Sequence, residues 1–270
     1  MKSCRVVALG LSLSVLNTVG FAAVVTWDAG GADNSWNTAA NWSDNAIPAN
    51  DDILRLDSAA AVPPQTIDLD GSQSIGQIDI RDISGEYIFT NSGGGLLLLT
   101  TSGSNSLLTV SNGGSLRFET NILLRGFNNE HRFNVVAGGG PIIVNGTLVP
   151  DSVSSTEMTL ELTSRDLSLP ASIELNGLVQ ESGQQLNLRA GFGPDAVNHR
   201  GVIKVTGMNT YTGRTDVTGA TLDFNSIGNV GGGASALGAP TTVADGTIRP
   251  GVQDDANGVP GQSLRQWQRI

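Results

Sequence analysis

The sequence predicts an all-β chain wound as a parallel β-helix, closed at its N-terminal end by a tryptophan-rich cap. Three observations carry this expectation. Short runs of alternating apolar and polar residues, each closed by Gly, Asn, Ser or Asp, follow one another from residue 62 onward. Apolar residues at Leu69, Ile78, Ile88, Leu98, Leu108 and Phe118 recur about every ten positions. Residues 62–248 hold two tyrosines, Tyr87 and Tyr211, and no tryptophan, and their apolar residues are mostly Leu, Ile and Val. A sandwich or propeller usually carries more core aromatics per unit. Flat parallel coils stack like on like and need small residues at their corners, with about two strands in each coil of roughly 20–25 residues.

The first element, residues 1–22, reads as a signal peptide. Met1–Arg5 is a basic start, Val6–Val15 is apolar but too short to span a bilayer, and Gly20-Phe21-Ala22 places small residues where a signal peptidase cleaves. Cleavage after Ala22 removes Cys4, the only cysteine of the chain. The mature chain then has no disulfide, no thiolate chemistry and no cysteine metal site. No second apolar run reaches about 18 residues, so no transmembrane helix is expected.

Composition narrows the function classes. The 270 residues carry a net charge of −10, and 35 glycines without a three-residue period exclude collagen. Lysine occurs only at Lys2 and Lys204, and the arginines are scattered. A nucleic-acid partner needs a clustered positive face, so none is expected.

Residues 23–61 form the cap. Trp27, Trp36 and Trp42 lie among Gly, Asn and Asp, which favour turns, and Ile53–Leu56 is a short strand. An elongated β structure exposes apolar cross-section at its ends, and large rings would cover it.

Residues 62–248 form the helix proper. Strands are expected at Thr66–Asp70, Ser74–Asp79, Glu86–Thr90, Gly95–Thr100, Ser106–Ser111, Ser115–Thr120, Phe133–Val136, Pro141–Val144, Glu157–Thr163, Ser172–Leu178, Val202–Thr206 and Thr221–Phe224. Within 201–224, Tyr211–Val217 adds a further strand, and three strands there would complete one coil. Residues 249–270 lose the alternation and read as a disordered tail.

Residues 201–224, GVIKVTGMNTYTGRTDVTGATLDF, are similar to the autotransporter-associated β-strand repeat, also called the passenger-associated transport repeat. The likeness rests on Gly207, Asn209, Thr210, Tyr211, Thr212, Gly213, Thr215 and Val217, flanked by Gly201, Thr206, Thr221 and Leu222. Arg214, Asp216 and Ala220 depart from the common pattern. The opening from Thr26-Trp27-Asp28 to Asn41-Trp42-Ser43 also resembles the start of large secreted proteins of that kind. The resemblance implies a right-handed parallel β-helix, exported to the surface or surroundings of a Gram-negative-type bacterium, in a structural or adhesin-like role. It names no ligand. Relatives usually run longer, so a truncated piece of a longer passenger is an alternative.

Chemistry is sparse. His131 and His199 each sit beside an arginine with no histidine at metal spacing, and are read as turn or corner residues. Asp68, Asp70 and Asp79 could stack into a carboxylate cluster able to hold calcium, with Arg55 and Arg81 nearby. No other cofactor is expected. Gly228–Gly233 lacks the Lys-Ser/Thr of a phosphate loop, no Gly-x-Ser-x-Gly occurs, and Asn91, Asn105 and Asn112 read as turn stacks. The function expected is a non-catalytic rod with a surface glycan or protein as partner. The alternative is a carbohydrate-active β-helix, a polysaccharide lyase or glycan-binding module.

Overall fold

The computed structural model describes residues 22–57, 60–81, 85–101, 106–126, 130–152, 157–191 and 199–250. The expected leader up to residue 21, the tail from residue 251 and Asn105 lie outside these.

Among the described residues twenty strands follow one another. They begin with β1 (Val24–Thr26), β2 (Ile53–Leu56), β3 (Gln65–Asp68), β4 (Gln73–Ile75), β5 (Gln77–Ile80), β6 (Gly85–Thr90) and β7 (Leu96–Thr101). The middle holds β8 (Ser106–Val110), β9 (Gly114–Phe118), β10 (Asn121–Gly126), β11 (Glu130–Val135), β12 (Ile142–Val144), β13 (Leu148–Ser152) and β14 (Glu157–Ser164). The last are β15 (Ile173–Leu175), β16 (Gln185–Gly191), β17 (Val202–Val205), β18 (Thr215–Thr218), β19 (Thr221–Phe224) and β20 (Ile248–Pro250).

These strands make three parallel sheets, stacked as a β-solenoid of about six turns. The first sheet has nine strands, β1-β2-β5-β8-β11-β14-β16-β18-β20. The second has four, β4-β7-β10-β13, and the third seven, β3-β6-β9-β12-β15-β17-β19. Parallel neighbours need a long crossover, and here each coil is the crossover for the next.

Each strand turns one side inward. In the first sheet Leu54, Ile78, Leu108, Phe133, Leu162 and Ala190 stack in register, all buried. The third sheet stacks Ile67, Phe89, Phe118, Val144, Leu175 and Val205. The Phe89 and Phe118 rings stack at 5.2 Å with their planes 25° apart. The second sheet adds Ile75, Leu99 and Leu124. One continuous apolar column results, and each fully buried Leu or Ile contributes about 2 kcal/mol by leaving water.

Coil size differs from expectation. Stacked partners in the first sheet are 24 residues apart from Leu54 to Ile78 and 30 from Ile78 to Leu108. Where the second sheet is present, a coil has three strands rather than two. The run expected at Ser74–Asp79 is in fact two strands, β4 and β5, broken at Gly76. A Cβ there would lie 2.5 Å from the Asp51 oxygen, so this glycine turns the corner between two sheets. Strands β1, β10, β13, β16 and β20 are absent from the expected set.

The segment 201–224 also winds differently. β17 and β19 pair with each other in the third sheet, whereas β18 belongs to the first. The segment is therefore one full coil plus the start of the next. Tyr211 to Arg214 is not strand, and only Thr215–Thr218 pairs.

At the N-terminal end Trp27, Trp36 and Trp42 are wholly buried and join the column. The Trp42 ring meets Trp27 at 5.0 Å and Trp36 at 4.7 Å, both edge to face. Trp42 Nε1 donates to the Trp36 oxygen at 2.8 Å. Buried Asn41 ties the loop around them, accepting from Gly31 N and donating to Asp33 Oδ1 and the Ser35 oxygen. At the other end residues 225–247 contain no strand. Ala236 and Leu237 are buried there, and Ala239 N donates to the Tyr211 oxygen at 2.8 Å. Among the described residues no helix is long and apolar enough to cross a membrane.

Candidate functional site

With the interior filled by aliphatic and aromatic side chains, the chemistry of this molecule lies on its faces and corners. The outward row of the first sheet is a ladder of alternating charge. Arg132, Glu161, Arg189, Asp216 and Arg249 stand opposite one another on five successive strands. Arg132 Nε donates to Glu161 Oε2, and Arg189 Nη1 lies 3.5 Å from Glu161 Oε1 and 2.9 Å from Glu130 Oε1. The Glu161 side chain is fully buried, while Arg132 and Arg189 are 23% and 26% exposed. Burial raises the Glu161 carboxyl above its ordinary range, and the hydrogen bond and charge of Arg132 oppose that rise. Within this row Asp216 also pairs with Arg214 at 3.0 Å.

The third sheet carries a shorter version. Glu174, Lys204 and Asp223 are in register, with Lys204 Nζ 3.5 Å from Glu174. The second sheet is different again. Leu98, Leu123 and Val149 form a half-buried aliphatic stripe on its outer side, beside the Arg125–Asp151 pair at 3.0 Å.

The corner after the third sheet explains the repeat-like residues. Gly207 packs on Gly177, Gly177 on Gly146, and Gly146 on Thr120. A Cβ on any of these glycines would lie within 2.0 Å of the oxygen beneath it. Beside this track runs a ladder of polar side chains. Asn145 Nδ2 donates to Glu119, Asn176 Nδ2 to Asn145 Oδ1, and Thr206 Oγ1 to Asn176 Oδ1.

Asn209 is wholly buried at the next corner. Its Oδ1 accepts from Val179 N and its Nδ2 donates to the Ala236 oxygen, both at 2.7 Å. Its backbone pairs with Ser235, and Thr210 N donates to the Val179 oxygen. Tyr211 points inward and its hydroxyl meets Thr215 Oγ1 at 3.1 Å. Burial lifts its phenol well above the usual range. Thr212 bonds to Glu181 through both N and Oγ1. Gly213 fits because a Cβ would lie 2.3 Å from the Leu186 oxygen. Val217 is half-buried opposite Ala190.

These contacts show what sequence reading missed. Asn145-Gly146, Asn176-Gly177 and Thr206-Gly207 are the same corner on three consecutive coils, spaced by 31 and 30 residues. The repeat legible at 201–224 thus has degenerate copies above it, and the recurring Asn-Gly pair was the signal.

The other candidate residues are placed as follows. Asp68 lies in the third sheet and Asp79 in the first, so strand stacking does not bring them together. Asp68 accepts from Ser92 N and Oγ and from Asp70 N, which holds its carboxyl below the ordinary value against the effect of burial. Asp70 occupies a left-handed turn at φ 48°. Asp79 pairs with Arg81 at 2.7 Å and Arg55 at 3.8 Å. Among the described residues no group of three His, Cys, Asp or Glu side chains is placed to hold a metal ion.

His131 is not a corner residue. It points into the column from the second position of β11, opposite Leu160, and is 1% exposed. Its Nε2 lies 3.0 Å from the Asp151 oxygen, so Nε2 carries the proton. Burial lowers its proton affinity. His199 is also buried. Asn91 does stack between coils, exchanging two hydrogen bonds with the Gly71 backbone. Trp27, Trp36, Trp42, Tyr87, Phe89, Phe118, Phe133 and Tyr211 are all interior, so none lines an outer groove.

No protein-family profile matches the chain. No solved structure matches it either. Among curated proteins it is similar to the adhesin BmaC autotransporter of Brucella suis biovar 1 (strain 1330), with 30% identity over 178 residues. That stretch covers 61% of this chain and 5% of the Brucella protein, so the chain spans a small part of its relative's length. The similarity and the β-solenoid together fit an autotransporter passenger-like repeat protein.

Proposed function

We propose that this chain acts as an adhesin-like rod of the autotransporter passenger type, exported and without catalytic activity. The observation that carries the reading is the similarity to an autotransporter adhesin over 61% of the chain. The molecule's build supports it. Its interior is mostly apolar, its charged side chains pair along the sheet faces, and its polar corner residues bond to the coils beside them. Function in such a rod comes from shape: coils set outward rows at a fixed spacing of about 4.8 Å for a partner to meet. A surface glycan or a surface protein is the partner class.

The carbohydrate-active reading has one point in favour, the charged cluster at Glu130, Arg132, Glu161 and Arg189. Against it, Glu161 is sealed from solvent and held by two arginines, an arrangement suited to structure. The test is a glycan and surface-protein array with the full chain, run beside a polysaccharide turnover assay. Saturable binding without turnover is expected. Turnover lost on Glu161→Gln would overturn the non-catalytic reading, and absence of all binding would overturn the adhesive one.

A further inference from the structure

Coils of a parallel solenoid face a register problem. Strand side chains alternate, so sliding one coil by two residues along its neighbour returns apolar groups to the core. The inward rows here permit such a slide. It would set Leu162 beside His131 and Leu188, in place of Leu160. Coil length does not forbid it, since stacked partners are 29 residues apart from Phe133 to Leu162 and 28 from Leu162 to Ala190.

The outward row is less tolerant. Glu161 is buried, and its carboxylate meets guanidinium groups on both sides, from Arg132 on β11 and Arg189 on β16. Glu130 stands two positions before Arg132 and pairs with Arg189. A two-residue slide one way would set Glu161 between Glu130 and Asn187. A slide the other way would set it between Asn134 and Gly191. Either slide strips both arginines from a buried carboxylate, and the first adds a like charge.

We propose that Arg132, Glu161 and Arg189 form a register lock for the central coils. Their role is to raise the energy of the slipped pairings that the aliphatic rows alone would accept. Replacing a buried charged triad by apolar groups of similar shape need not weaken a fold, but it removes the penalty on alternatives. The lock acts through alignment and touches no ligand. It is independent of what the rod binds.

Cysteine crosslinking reads the register directly, because Cys4 is the only native cysteine and can be replaced by serine. Glu157 and Gln185 are register partners on β14 and β16. Thr159 and Gln185 would face each other only after a two-residue slide. In the native register they are about 8 Å apart, too far for a disulfide. The full chain carrying Glu157→Cys with Gln185→Cys should oxidise readily, and Thr159→Cys with Gln185→Cys should not.

The same two pairs are then tested with Arg132→Met, Glu161→Leu and Arg189→Met together. A roughly tenfold rise in the slipped crosslink is expected, from a protein that keeps its β-rich spectrum. Glu161→Gln, which keeps the shape and loses the charge, is read the same way should the triple variant fail to fold. A single native register in either folded variant would overturn the lock.

Discussion

Gly207 lies directly against the carbonyl oxygen of Gly177, so close that a Cβ would sit 1.9 Å from it. The same contact recurs one coil up, where a Cβ on Gly177 would lie 2.0 Å from the Gly146 oxygen. This track lets three corners nest, and the coil spacing of the third sheet depends on it. Gly207→Ala and Gly177→Ala should therefore each destabilise by about 2–3 kcal/mol, as forced overpacking does. Gly233→Ala, where nothing lies within 4 Å, should change stability by less than about 0.5 kcal/mol. Urea unfolding of the three variants checks the contrast.

Asn209 joins three coils through one side chain. Asn209→Ala would leave the Val179 N–H and the Ala236 oxygen unsatisfied in a buried corner. The expected loss is about 2–4 kcal/mol, since each orphaned group costs about 1–3 kcal/mol. Asn209→Asp keeps the acceptor for Val179 but sets a carboxylate against the Ala236 oxygen, and should be no better. Hydrogen exchange at Val179 should quicken in both variants.

How much of this was legible in the sequence depends on the residue. The all-β class and the stacked Leu, Ile and Val rows followed from alternation and turn chemistry. The Gly207–Val217 corner was visible as a motif because its demands are strict: no Cβ at Gly207, a two-ended amide at Asn209. Earlier copies at Asn145-Gly146 and Asn176-Gly177 satisfy the same geometry with fewer shared residues, so they passed as ordinary turns. The charged ladder was not legible at all. Arg132, Glu161 and Arg189 are far apart in sequence, and only register brings them together. Asp68 and Asp79 show the reverse failure, since neighbouring acidic residues fell on different sheets across the corner at Gly76.

His131 makes stability depend on acid. Burial lowers its proton affinity in the folded state below the usual value of about 6.5, so the unfolded chain binds the proton more readily. Stability should be insensitive to this group above about pH 6.5 and should fall as pH drops below it. His131→Gln should flatten that slope. Urea midpoints measured across this range for both proteins check the sign.

The three tryptophans should report the N-terminal end. Trp42 touches both other rings, and Trp42→Ala should cost about 3–5 kcal/mol through the cavity left behind. Tryptophan emission should shift to the red in that variant. Emission unchanged from the parent would mean the rings are not packed together.

Adhesion is the central claim, and bead attachment tests it most directly. Beads coated with the folded full chain are offered to cell layers, with free soluble chain as competitor and heat-unfolded chain as control. The account predicts attachment that saturates, is blocked by the free chain and is absent with the unfolded control. Attachment no greater than the unfolded control, on every cell layer offered, would contradict it.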